Sequence, residues 1–296
     1  MRKDLSIPVD GAVLAATLSR PDAERPPGLV AVHGAGAGQR GWYLYEHLHR
    51  LLPPAGIAVV TFDRRGDGES TGEPSRGRFE QQAQDALAVI DHVAGEEELD
   101  SERMGLWGIS QGGWVAPLAA TMSPRVAFLV LLASCGVTPG EQMRWTAGFQ
   151  TRREFGDEAG AEAERLWELA LDWMRGGDRA SLEAALAEAK EKPWRRTAWF
   201  PDEAPPDEAR DEVRAELDFD PAPVFARVRV PTLLVYGDED EWIPVDQSLA
   251  TWRKARGEHV DILLVQGTGH EPARGEELSQ EYEESLETWL SATTGL

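Results

Sequence analysis

The chain has only four lysines in 296 residues, and its 30 basic residues stand against 52 acidic ones for a formal charge of −22. A surface of that sign repels nucleic-acid phosphates and anionic lipid headgroups, so neither is expected as a partner. Cysteine is scarcer still. Cys135 stands alone, which excludes an intrachain disulfide and leaves no reason to place the chain in an oxidising compartment. Its sequence neighbours offer no base, so it reads as a buried, inert thiol. The amino terminus begins Met-Arg-Lys, but Asp4, Pro8 and Asp10 interrupt any apolar stretch, and the segment fits neither a signal peptide nor a membrane span. The expected location is the cytoplasm. A glycine-rich phosphate loop and metal-ligand spacing are also missing, so no metal and no cofactor is expected.

The most informative segment present is Arg103-Met-Gly-Leu-Trp-Gly-Ile-Ser-Gln-Gly-Gly-Trp114. Met104 to Ile109 is a short apolar run of strand type, and Trp114 to Met122 reads as a helix rich in Ala and Leu. Between them Gly108, Ser110 and Gly112 spell Gly-x-Ser-x-Gly, a strand-turn-helix that holds a nucleophile in strained dihedrals that only small neighbours permit. A packing turn is the alternative. A serine hydroxyl is a poor nucleophile at neutral pH, so Ser110 needs a general base and a third group to orient that base. The base must be one of six histidines: His33, His47, His49, His92, His259 or His270.

Three further segments bear on the choice. His33-Gly-Ala-Gly-Ala-Gly38 follows an apolar strand, Asp63-Arg-Arg-Gly-Asp-Gly-Glu-Ser70 follows another, and Gly237-Asp-Glu-Asp-Glu-Trp-Ile-Pro244 follows a third. In this order the four motifs resemble those of α/β-hydrolase fold serine hydrolases, of the esterase branch close to dienelactone-hydrolase-like and acyl-peptidase-like enzymes. The resemblance covers most of the chain and implies a triad running Ser, Asp or Glu, His, which leaves His259 and His270. His259 precedes the strand Val260 to Val265 and reads as an exposed loop residue, as do His47, His49 and His92 in or near helices. His270 follows that strand in Gly267-Thr-Gly-His-Glu, at the carboxyl end where open α/β sheets place their sites.

The acid should follow the preceding strand, Thr232 to Tyr236. Asp240 fits, because Gly237, Asp240 and Pro244 resemble the family's Gly-x-x-Asp-x-x-x-Pro loop; Asp238 is the alternative. The resemblance also implies oxyanion donors at the amides of Gln111 and Ala35, with Gly36 able to replace Ala35 in the repeated Gly-Ala loop. His33 structures that loop. Asp63, Arg65, Gly66 and Gly68 form a buried turn bracing it, with anion recognition by Arg64 or Arg65 as the other reading. Relatives that hydrolyse haloalkanes or epoxides carry Asp where this chain has Ser110.

The remaining pattern is α/β. Leu5 to Val9 and Ala12 to Ser19 suggest a hairpin turning at Asp10-Gly11. Strands at 29–33, 57–62 and 126–132 then alternate with helices, one keeping Phe79, Ala83, Leu87, Ile90 and Ala94 on a single face, which implies a mainly parallel, doubly wound sheet. Residues 1–136 and 227–296 form this core. Between them, residues 137–226 lose β-branched character and read as a helical cap inserted after strand six, with Ala159, Ala163, Leu166, Ala170 and Trp173 on one face. Of the tryptophans, Trp114, Trp145 and Trp242 are the candidates to bind an acyl or aryl group, packing being the other role for each. The expectation is hydrolysis of a small-molecule carboxylic ester; a thioesterase or aminopeptidase would use the same triad. A non-catalytic ligand-binding protein is the rival from another class, and a homo-oligomer is compatible with the sequence.

Overall fold

The computed structural model describes residues 1–36, 38–257, 259–275 and 277–296. Strands β1 (Arg2–Val9) and β2 (Ala12–Ser19) form the leading hairpin, with Gly11 at φ +70° in its turn. They are followed by β3 (Gly28–Val32), α1 (Tyr43–Leu51), β4 (Ala58–Phe62), α2 (Phe79–Glu96), β5 (Met104–Ile109), α3 (Gly112–Met122) and β6 (Phe128–Leu132). A helical stretch follows: α4 (Pro139–Phe155), α5 (Asp157–Met174), α6 (Arg179–Ala189), α7 (Arg210–Leu217) and the short α8 (Pro221–Phe225). The chain finishes with β7 (Thr232–Gly237), α9 (Val245–Arg256), β8 (Asp261–Val265), the two-residue strands β9 (Ala273–Arg274) and β10 (Glu277–Leu278), and α10 (Gln280–Thr294).

Eight strands form one sheet in the order β1-β2-β4-β3-β5-β6-β7-β8. β2 is antiparallel to β1 and β4; every other pairing is parallel. The central strands are apolar apart from Thr61 and Thr232 and are buried along their whole length, because both faces of a parallel sheet are covered. On one face Leu44, Tyr45 and Leu48 of α1 and Tyr282, Leu286 and Leu290 of α10 pack with Ala31, Trp107, Val130 and Val235. Trp107 has no exposure, and a fully buried Trp of this kind contributes roughly 3–5 kcal/mol.

The chain divides into two compact units. One comprises residues 1–134, 222–239 and 252–296 and carries the sheet. The other comprises residues 135–221 and 240–251 and is helical. Its own core joins Ala163, Leu166, Trp167, Ala170 and Trp173 of α5 to Leu182 and Leu186 of α6 and to Trp194. Helix α4 begins in a capping box, Thr138 accepting from the Glu141 amide while the Glu141 carboxylate accepts from Thr138. It approaches α5 closely because Gly160 presents no side chain to the Gly148 carbonyl, 3.0 Å from where a Cβ would stand.

Two expectations need correction. His47 and His49 are not exposed: they are 4% and 9% exposed on α1. His47 Nδ1–H donates to the Leu44 carbonyl, so Nε2 accepts from the Tyr282 hydroxyl at 3.0 Å, and that hydroxyl in turn accepts the Trp107 indole N–H at 3.1 Å. His49 lies between the hydroxyls of Ser19 (2.8 Å) and Thr61 (3.0 Å). Burial holds both imidazoles neutral, with pKa values lowered to about 4. On α2 the buried face runs through Phe79, Gln82, Ala83, Ala86, Val89, Ile90 and Val93, while Leu87 and Ala94 are only half-buried. A helix of 3.6 residues per turn drifts off a four-residue step, so two members of the expected stripe fall to its edge.

Candidate functional site

Ser110 occupies the sharp turn between β5 and α3 with φ +54°, a region that a non-glycine residue enters only under constraint. The constraint comes from packing on every side. Its N–H donates to the Leu132 carbonyl of β6 at 2.9 Å, and its own carbonyl accepts from Gly113 at 2.8 Å. A Cβ on Gly112 would stand 2.6 Å from the Val32 carbonyl oxygen, and one on Gly113 would stand 2.7 Å from Ser134 Cα. One on Gly108 would strike the Gly112 carbonyl. The small residues of the motif are therefore imposed by neighbouring backbone, and the Ser110 side chain is left half-buried at the turn.

Gln111 precedes α3, and the amides after it bond back into the turn, Trp114 and Val115 both to the Gln111 carbonyl. The Gln111 N–H stands ahead of that ladder, at the positive end of the helix. Its side chain is 3% exposed and accepts from Gln82 Nε2 at 3.1 Å, which fixes the residue from the side of α2.

The stretch that follows His33 lies against the same turn: a Cβ on Gly34 would stand 3.6 Å from Ser110 Cβ. His33 is buried, with Nδ1 2.9 Å from the Tyr45 hydroxyl and its ring edge-on to Phe62. Desolvation, then the nearby Arg64 charge, lowers its pKa to about 3. Arg64, 2% exposed, donates to the Gly34 carbonyl at 3.1 Å and to the Gly36 carbonyl at 3.0 Å, and it pairs with Asp67 at 2.6 Å. In a planar trans peptide the N–H points opposite to the C=O, so holding the Gly34 carbonyl aims the Ala35 N–H away from Arg64.

Arg64 thus braces this loop, and the expectation that Arg65 does so is corrected. Arg65 turns to α2, pairing with Asp85 through two bonds of 2.9 and 2.5 Å, and to the Asp10 carbonyl at 2.7 Å. Asp63 is held by the Arg40 guanidinium and amide and by the Glu69 amide. These arginines are occupied by their own carboxylates and carbonyls, which does not favour the anion-recognition reading.

His270 is half-buried in the loop after β8. The loop is fixed by Asp238, which accepts the Gly267 N–H at 2.6 Å, and by Thr268, whose carbonyl accepts the Glu239 N–H at 3.0 Å and whose hydroxyl donates to Val265. A Cβ on Gly237 would overlap the Thr268 and Gly269 carbonyl oxygens, so the ends of β7 and β8 can lie this close only with glycine there. Glu271, next along, is half-buried, and desolvation raises its carboxyl above the usual range. His259 is exposed.

Asp240 opens the second stretch of the helical unit and is 5% exposed. One carboxylate oxygen accepts the amides of Trp242 (2.8 Å) and Ile243 (3.1 Å). Three polar side chains four residues apart on α4 hold the backbone just beyond it: Gln142 and Thr146 donate to the Trp242 carbonyl at 2.9 and 2.7 Å, and Gln150 donates to the Glu241 carbonyl at 3.0 Å. The sequence reading missed this stripe; its signal is polar residues at i, i+4 and i+8 of a helix that buries them.

Trp114 is 4% exposed with its ring 5.6 Å from Phe79. Trp145 stacks on Phe149 at 4.7 Å, and Trp242 lies 4.7 Å from Trp199, whose indole N–H bonds to Gln150. Cys135 is buried with its thiol pushed up to about 12, mainly by desolvation. Among the described residues no helix is long and apolar enough to cross a membrane.

The alpha/beta hydrolase family model matches residues 29–281, and the chain belongs to that family. The dihydrolipoyllysine-residue acetyltransferase component of the acetoin cleaving system of Pseudomonas putida is 28% identical over 258 residues, 82% of this chain and 58% of that protein. The thiohydrolase aneE of Aspergillus aculeatus is 32% identical over 123 residues, 41% of this chain and 38% of that one. The chain therefore spans less than two thirds of the length of each of these two relatives. Est1E from Butyrivibrio proteoclasticus, solved with ferulic acid bound, has the same fold with a TM-score of 0.65 at 20% identity, covering 99% of this chain and 100% of that one.

Proposed function

We propose that the chain is a serine hydrolase acting on a carboxylic ester. The observation that carries this reading is the strained Ser110 at a turn whose Gly108, Gly112 and Gly113 leave no room for a side chain. In the proposed cycle His270 takes the hydroxyl proton as Ser110 attacks the carbonyl carbon, and Asp240 orients the imidazole and stabilises its charge. The amides of Gln111 and Ala35 receive the developing oxyanion. Collapse passes the proton from His270 to the leaving alcohol and leaves an acyl-serine. Water then gives a proton to His270 as it attacks the acyl carbon, and His270 passes that proton to the departing Ser110 oxygen, which releases the acid and free Ser110.

In this reading residues 137–226 act as a cap, and Trp114, Trp145 and Trp242 select the acyl group. The substrate is a small molecule, and the acidic chain works in the cytoplasm without nucleic acid, membrane or cofactor. The thiohydrolase relative keeps a thioester as the second reading.

A panel of p-nitrophenyl esters of increasing acyl length, matched thioesters and amino-acid anilides, run beside a fluorophosphonate probe, tests the assignment. Ester turnover with stoichiometric labelling of Ser110 is expected. Faster thioester turnover would change the leaving group but keep the triad, whereas labelling elsewhere or no turnover by a folded protein would overturn it.

Arg64 offers a separate check on the oxyanion assignment. Arg64→Met removes both bonds to the loop carbonyls, and kcat should fall about 100-fold, the scale of a misplaced donor, with KM changing little. An unchanged kcat would remove the Ala35 amide from the mechanism.

A further inference from the structure

Arginine in this chain is usually matched by a carboxylate. Arg65 grips both oxygens of Asp85 through its Nε and Nη2, and Arg50, Arg103, Arg125 and Arg175 are paired on the surface. Acidic residues outnumber basic ones 52 to 30, so an arginine without such a partner stands out. Arg229, in the segment between α8 and β7, and Arg253 and Arg256, in the last turn of α9, form no ion pair among the described residues.

Two of these arginines meet at one oxygen. The Val228 carbonyl accepts from Nη1 of Arg229 at 2.9 Å and from Nη1 of Arg256, and Arg229 Nη1 also reaches the Ala226 carbonyl at 2.6 Å. The guanidinium groups are therefore neighbours of like charge. Burial, then the Arg229 charge, holds Arg256 below the usual guanidinium range, whereas Asp85 raises Arg65. The carboxyl end of α9 attracts cations through its dipole, which suits Arg253 and Arg256. It does not explain Arg229, which comes from another segment, nor why Arg256 leaves its own helix for the Val228 carbonyl. Both arginines spend only Nη1 on the protein. Their Nε and Nη2, the edge with which Arg65 grips Asp85, have no acceptor among the described residues, and the Nε of Arg256 is buried in that condition.

We propose that Arg229 and Arg256 form a binding site for the phosphate group of a small molecule, with Arg253 adding charge from three residues earlier on α9. Two guanidinium groups carry two positive charges, and a phosphate carries nearly two negative ones on oxygens that can meet both arginines. A carboxylate would neutralise only one of them. The net charge of −22 selects a small anion over a polyanion, since nucleic acid or an anionic membrane meets the field of the whole chain, whereas a single phosphate meets mainly the pair beside it.

Isothermal titration calorimetry on the full chain at constant ionic strength, with inorganic phosphate and with phenyl phosphate, tests this site. Saturable binding is expected; tighter phenyl phosphate would assign the site to a phosphate ester and tighter inorganic phosphate to the free ion, and either supports the proposal. Arg229→Gln and Arg256→Gln should each weaken binding roughly tenfold, the scale of one charge-assisted hydrogen bond. Arg125→Gln, which removes an exposed arginine paired with Asp91, should leave it unchanged. Arg229 is exposed, so its variant tests the site even if the half-buried Arg256 cannot be replaced without unfolding. No binding by the wild type, unchanged binding by Arg229→Gln, or benzoate binding as tightly as phenyl phosphate would overturn the proposal. So would binding that appears only with Glu258→Gln, because that carboxyl, outside the described residues, would then be the pair's own counter-ion.

Discussion

Replacing Ser110 by Ala should lower ester turnover by about a million-fold, to the residual rate that an oxyanion hole and binding alone provide. In the proposed cycle the effect is that large because nucleophile, base and orienting acid act as one unit, and without the hydroxyl His270 would have no proton to take. The fold should be untouched. Ser110 makes its structural bonds through the backbone N–H and C=O, which Ala retains, and the left-handed φ is imposed by β5, β6 and α3 rather than by the hydroxyl. Kinetics should therefore be read alongside a denaturation midpoint. A loss of turnover matched by a fall in midpoint would mean that Ser110 is structural, and a variant retaining a hundredth of the activity would mean that another group attacks.

Acid should destabilise the protein steeply between pH 6.5 and about 4. His33, His47 and His49 are held neutral by burial, with folded pKa values near 3, 4 and 4 against 6.5 when free. Below pH 6.5 the unfolded chain binds protons at all three while the native chain does not, so the unfolded state gains. The stability these groups contribute is complete above pH 6.5 and falls as pH drops toward the folded values. With three protons involved, the slope approaches about 4 kcal/mol per pH unit near pH 5. His47 shows why charging is costly: a second ring proton would point at the Tyr282 hydroxyl, whose oxygen already accepts from Trp107. Urea midpoints at successive pH values check this, and His47→Gln should reduce the slope by about 1.4 kcal/mol per unit. Equal midpoints at pH 7 and pH 5 would show that these histidines are not excluded from protonation in the folded chain.

The alternation of strands and helices was legible because the core strands are mainly apolar runs between turn residues, and a parallel sheet buried on both faces favours that pattern. The turn at Ser110 was legible because its glycines answer to backbone close by. What periodicity could not supply was the identity of partners distant in the chain. Arg64 and Arg65 are adjacent and chemically alike, yet one holds the Gly34 and Gly36 carbonyls and the other pairs with α2, a difference set by which way each side chain leaves the loop after β4. His47 and His49 looked like surface residues because the groups that receive them, Tyr282, Ser19 and Thr61, lie on other elements of the fold. The Gln142, Thr146 and Gln150 stripe escaped notice for a related reason: polar residues on a helix ordinarily face water, and here they meet two carbonyls about 100 residues later.

The packing around the turn also governs how this lineage can diverge. Gly112 and Gly113 answer to the backbone of β3 and of the segment after β6, so the fold itself enforces them. No such demand reaches the hydroxyl of Ser110. On the proposed function, a descendant could lose its chemistry in one substitution and keep its architecture, and its glycines would persist as a fossil of the reaction. Retention of the glycine frame is thus a record of ancestry, while the serine alone reports present use.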